Sequence, residues 1–115
     1  MQSATIETAT PDEPFAVIQV TGELDLDTQD GFEAEVLQRL EGGSVVIDLS
    51  RLEFLAISSL RALLNCQRSA VEGSYRVVYA GPPQQARRLL EVSGLDEVLT
   101  LSATLTGANE LVARR

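Results

Sequence analysis

The spacing of apolar residues changes period several times along the chain, and each change marks an element. Residues Phe15 to Thr21 alternate with β-branched Val17, Ile18 and Val20, the pattern of a half-buried strand. A shorter extended stretch, Ser3 to Glu7, precedes it across a Pro11-Asp12-Glu13-Pro14 turn, which predicts an antiparallel pair. Phe32, Val36, Leu37 and Leu40 then recur at helical spacing. Thr28 is the predicted N-cap, Asp30 and Glu33 favour the positive end of the dipole, and Gly42-Gly43 stops the helix.

Val45 to Leu49 is continuously apolar but for Asp48, so it reads as a central strand covered on both faces. A carboxylate there requires a hydrogen-bonded partner in the following loop. The loop Phe54-Leu55-Ala56-Ile57 leads into a helix from Ser58, with Leu60, Leu63, Leu64 and Val71 as its apolar stripe. Arg61, Asn65, Arg68 and Glu72 form the opposite face, and Cys66 borders the stripe as a packed small side chain. Tyr75 to Ala80 is a further strand, and Pro82-Pro83 suits the start of a helix over Gln84 to Val92. Gly94 ends that helix, Glu97 to Leu101 is a short strand, and Thr104 opens a last helix carrying Ala108, Leu111 and Val112, with Arg114 and Arg115 at its end.

The order β-β-α-β-α-β-α-β-α predicts an α/β fold: a mixed, mostly parallel sheet of about five strands with about four α-helices packed on it. With 115 residues and no internal repeat or linker, residues 1–115 are expected to form a single domain.

Composition narrows the chemistry. The net charge of −8 opposes nucleic-acid binding, which needs clustered Lys and Arg, and suits basic partners or plain solubility. No run approaches a membrane span and the first residues do not form a signal peptide, so no membrane insertion and a cytoplasmic location are expected. The sequence has no histidine and one cysteine, which removes imidazole catalysis, His metal ligands, an internal disulfide and Cys-rich zinc sites.

A buried strand that feeds a helix through a short loop presents free N–H groups there, which makes Ala56 to Arg61 the candidate site. Ser58 and Ser59 lack a histidine or lysine base, so a nucleophile is not expected, whereas N-capping accounts for a serine at this place. No glycine-rich phosphate motif is present, and Gly81-Pro82-Pro83 reads as a turn. Neither catalytic residues, a cofactor nor a metal is expected.

Four stretches in order carry a family resemblance: Gly22-Glu23-Leu24-Asp25-x-x-Thr28, Val46 to Ser50, Phe54 to Leu64, and Leu89 to Asp96. The whole chain resembles STAS domains, in particular stand-alone anti-sigma factor antagonists of bacteria. The resemblance implies a STAS fold over residues 1–115 and a non-enzymatic regulator that sequesters a kinase-like anti-sigma factor, freeing a sigma factor for transcription. In typical members a serine following an aspartate in the switch segment is phosphorylated by that partner kinase, and the phosphorylated form lets go. Here Ala56 stands where the Asp would be, Ile57 where the phosphorylated serine would be, and Ser59 where a glycine is usual.

Ile57 has no hydroxyl, so the covalent switch cannot operate there, and Ser58 is the neighbouring hydroxyl that could restore it. The apolar side chain either fills a partner pocket or packs inward. The expected partner interface is Asp25, Ala56, Ile57, Ser58, Ser59 and Arg61, with homo-oligomerisation left open. A second implied function is a STAS subunit of a membrane lipid-transport complex of the ABC type, since some such subunits run no phosphorylation switch.

Overall fold

Residues 5–9 and 15–113 are described by the computed structural model. The strands are β1 (Thr5–Ala9), β2 (Ala16–Leu24), β3 (Val45–Asp48), β4 (Leu52–Leu55), β5 (Val77–Ala80) and β6 (Leu101–Ser102). The helices are α1 (Gln29–Leu40), α2 (Leu60–Glu72), α3 (Gln84–Ser93) and α4 (Leu105–Ala113). The sheet order is β1-β2-β3-β5-β6, with β4 pairing the far end of β2. Among the described residues, only β1 runs antiparallel, to β2; the other pairings are parallel. The expected α/β architecture with a mixed, mostly parallel sheet is thus present.

Alternation along the central strands sorts their side chains between two apolar layers. Ile18, Val20, Val45, Ile47, Val77 and Tyr79 face α1, α2 and α3, which contribute Phe32, Val36, Leu63, Cys66 and Leu90. Val17, Val46, Val78 and Ala80 face the other way and meet Ala108 and Val112 of α4. All four residues of β3 are buried, as its continuous apolarity requires. Asp48 is tolerated there because its carboxylate accepts the N–H of Ser50 at 3.0 Å and the side-chain amide of Gln19 at 3.4 Å.

Several expectations are corrected. Half of the loop expected from Phe54 to Ile57 is strand: β4 takes Phe54 and Leu55, and Ile57–Ser59 is a 3₁₀ turn before α2. Short apolar runs beside a turn fit strand or loop equally, and only pairing with β2 decides. The strand expected over Glu97 to Leu101 is a 3₁₀ turn, Leu95–Glu97, followed by the two residues of β6. The buried stripe of α2 is Ala62, Leu63, Cys66 and Ala70, whereas Val71 is 66% exposed. Small residues let α2 lie close to α1 and the sheet, so the helix turns its larger aliphatics partly outward. Thr28 and Ser59 precede their helices without a side-chain capping bond. Gly94 does end α3, at φ +81°, where only glycine is unstrained. The expected Pro11–Pro14 turn, Ser3, Ala4, Arg114 and Arg115 lie outside the described residues.

Beneath α2, the Tyr79 hydroxyl donates to the Leu63 carbonyl at 2.7 Å, beside the buried Cys66 thiol. Burial, reinforced by Glu33, pushes Cys66 from an ordinary 9.0 up to about 12, and burial likewise holds Tyr79 well above its ordinary 10.0. Both groups stay neutral when folded but ionise in the unfolded chain, so their stabilising effect is complete below pH 9 and is lost as pH rises toward 12. Urea unfolding should therefore show a lower midpoint at pH 10.5 than at pH 7.5, and Cys66→Ala should shrink that difference. An unchanged midpoint across the two pH values would contradict this burial.

Candidate functional site

Two segments meet where β2 and β4 end. The parallel register sets Leu24 beside Leu55, and the Ala56 N–H continues the ladder by donating to the Leu24 carbonyl at 2.8 Å. The Asp25–Thr28 loop and the Ile57–Ser59 turn therefore emerge side by side. Among their residues Leu26 is 72% exposed and Ile57 74%, and Phe54 on β4 is also exposed. These apolar side chains stand in water at one end of the sheet.

Each expected site residue has a definite place. Asp25 shapes its own loop: Oδ1 accepts the N–H groups of Asp27 and Thr28 at 3.0 and 3.2 Å, a turn that leads into α1. Thr28, expected to cap that helix, instead donates its hydroxyl to the Glu23 carbonyl at 2.8 Å and accepts the Asp25 N–H. Ala56 is half-buried, Ser58 and Arg61 are exposed, and Ile57 points to solvent rather than packing inward. Ser59 is withdrawn from the surface, with 0% exposure, and its hydroxyl donates to Gln29 Oε1 of α1 at 3.2 Å. Of the expected residues, Asp25 and Ala56 are half-buried and Ile57, Ser58 and Arg61 are exposed, whereas Ser59 lies beneath them and ties the turn to α1.

Gln85 holds the other side of β4. Its side-chain amide accepts the Leu55 N–H and donates to the Leu55 carbonyl, both at 2.9 Å, as a neighbouring strand would. This fastens the segment immediately before Ile57 to α3. No local pattern announces such a role, because a helical glutamine thirty residues away looks like an ordinary polar position. Gln29, Leu26 and Phe54 also escape the sequence reading; of these, the apolar Leu26 in an otherwise acidic loop was the available signal. Replacing Gln85 by Ala should cost about 1–2 kcal/mol for the paired bonds. Amide exchange at Leu55 should then accelerate; unchanged protection there would show that β4 does not depend on the clamp.

Glu23, Asp25, Asp27, Asp30 and Glu53 lie around the ends of β2 and β4, and α2 carries Arg61, Arg68 and Glu72 at exposed or partly exposed positions. Among the described residues, no three His, Cys, Asp or Glu side chains are grouped to hold a metal, and no helix is long and apolar enough to cross a membrane. What the site offers is exposed apolar side chains among charged ones.

The family model described as "Mlab, STAS domain" matches residues 9–106. No curated protein matches the sequence. An anti-sigma factor antagonist from Mycobacterium paratuberculosis is similar in structure, with TM-score 0.79, 30% identity, and coverage of 96% of this chain and 95% of that one. The unphosphorylated anti-sigma factor antagonist SpoIIAA aligns with TM-score 0.78 and 20% identity over 95% of this chain and 96% of that one. A STAS-domain protein of the anti-sigma-factor antagonist type from Planctomyces limnophilus aligns with TM-score 0.77 and 19% identity over 97% and 98% of the two chains. The matched region includes the stretch from Phe54 to Leu64, and the chain belongs to the STAS-domain family.

Proposed function

We propose that this chain is an anti-sigma factor antagonist: a cytoplasmic binding module, not an enzyme, that sequesters a kinase-like anti-sigma factor and thereby frees a sigma factor. The partner surface is Asp25, Ala56, Ile57, Ser58 and Arg61, with Ser59 and Gln85 holding it in position. The observation that carries this reading is Ile57, an aliphatic side chain 74% exposed at the place where typical members carry the phosphorylated serine. A partner pocket that accepts the unmodified serine loop can bury Ile57, and burying one such side chain contributes about 1.5–3 kcal/mol. No hydroxyl exists at that atom to take phosphate, so the complex persists in the presence of ATP.

The 30% identity and near-complete overlap with the mycobacterial antagonist support this reading over the transporter-subunit alternative. The test is to mix the chain with a candidate anti-sigma kinase holding its sigma factor, with and without ATP. Sigma release that is insensitive to ATP supports the proposal. Phosphate appearing on Ser58 with loss of binding would restore the ordinary switch, and recovery of a transporter ATPase instead of an anti-sigma factor would move the function to the alternative.

A further inference from the structure

The Asp25–Thr28 loop and the Ile57–Ser59 turn stay side by side although the strands that deliver them have ended. Backbone pairing carries them as far as the Ala56 N–H on the Leu24 carbonyl. Beyond it one segment turns into α1 and the other into α2. What crosses the gap next is a side-chain bond: the Ser59 hydroxyl donates to Gln29 Oε1 at 3.2 Å, between residues 30 apart in sequence. Ser59 is fully buried and gives α2 no capping bond, so this contact is what satisfies its hydroxyl.

Both ends of that bond are rooted in the segments it joins. Gln29 opens α1, and its N–H and that of Thr28 both donate to the Asp25 carbonyl, at 2.9 and 3.2 Å. Ser59 closes the turn, with its own N–H on the Ala56 carbonyl at 3.0 Å. Further along the same pair of helices the crossing repeats, Asn65 Nδ2 of α2 donating to Glu33 Oε2 of α1 at 3.3 Å. Swinging the turn away from α1 would leave a buried hydroxyl unpaired, and loosening the start of α1 would take away its acceptor. Motion of either segment thus carries a cost set by the other.

We propose that Ser59 and Gln29 are positioning residues that latch the Asp25–Thr28 loop to the Ile57–Ser59 turn, so that Leu26 and Ile57 are presented as one pre-ordered unit. The latch deepens the docking reading and rests on it only for what covers these side chains. A partner then meets both segments already in place, and ordering them costs the complex little.

Amide exchange of the full ¹⁵N-labelled chain, with no partner present, reads the latch directly. Ser59→Ala should speed exchange at Thr28 and Gln29, in the segment it does not belong to. The expected change is about fivefold relative to the amides of β3, which gauge overall stability; that is the weight of one neutral hydrogen bond. Gln29→Leu, at a partly exposed position, should do the same at Ser59 and Leu60. Combining the two should loosen the surface no further than either alone. Gln29→Glu keeps an oxygen acceptor for the hydroxyl and should exchange like the wild type. Effects confined to each variant's own segment, additive effects in the double variant, or a Gln29→Glu chain as loose as Gln29→Leu would overturn the proposal. These outcomes do not depend on whether the surface binds an anti-sigma factor, so failure of the latch and failure of the docking reading are told apart.

Discussion

Ile57→Asp is expected to weaken binding to the anti-sigma partner at least a hundredfold while leaving the fold intact. The side chain is 74% exposed and makes no part of either apolar layer, so the substitution removes little on folding. Exposed changes of this kind usually stay within about 0.5 kcal/mol of stability. In the complex the new carboxylate must lose its water with no counter-charge provided for it. A buried, unmatched charge at an interface costs roughly 2–5 kcal/mol, and about 2.7 kcal/mol is a hundredfold in Kd. Ser58→Ala, beside it, should leave affinity nearly unchanged, because the complex as drawn needs no hydroxyl there. Calorimetric titration of both variants, with thermal melts as the folding control, checks the contrast. Equal affinity for wild type and Ile57→Asp would place the partner elsewhere.

Tyr79→Ala is expected to bring the chain close to unfolding. Tyr79 is the largest of the fully buried side chains and supports α2 from below through its ring and its hydroxyl bond to Leu63. Truncating a buried aromatic side chain costs about 3–5 kcal/mol in transfer and cavity terms. That is a large share of the roughly 5–15 kcal/mol that holds a domain together. Tyr79→Phe separates the two contributions: it keeps the ring, removes the bond, and should cost about 1 kcal/mol. Urea denaturation of the pair measures both. A Tyr79→Ala midpoint close to wild type would mean that α2 is held by something other than this contact.

The elements with strong periodicity were legible from the chain itself. α1, β3 and α3 lie where their apolar spacing puts them, β2 does so over Ala16 to Thr21 but continues to Leu24 beyond the expected end, and Asp48 found the loop donor that its burial demanded. The parts that were not legible depend on contacts remote in sequence. β4 exists because β2 extends to Leu24 and offers it a ladder, and because Gln85 completes its other edge. Ser59 looked like a cap, but Gln29 draws its hydroxyl across to α1. α2 was misread by rotation: Cys66 and the alanines take the inner face because α1 packs closely, which turns Val71 outward. Composition could not say whether Ile57 points in or out, since either orientation fits an apolar residue in a helix-leading turn. Pairing of the two strand ends settles it, by holding the turn up beside the Asp25 loop.

The central claim is that the partner covers the paired strand ends and the start of α2. Hydrogen exchange of the chain, alone and saturated with an anti-sigma factor, tests it most directly. Protection gained over Asp25–Thr28 and Ala56–Arg61, with α4 on the far face unchanged, is the result this account requires. Protection confined to α4, with exchange at Ile57 to Ser59 unaltered, would contradict it.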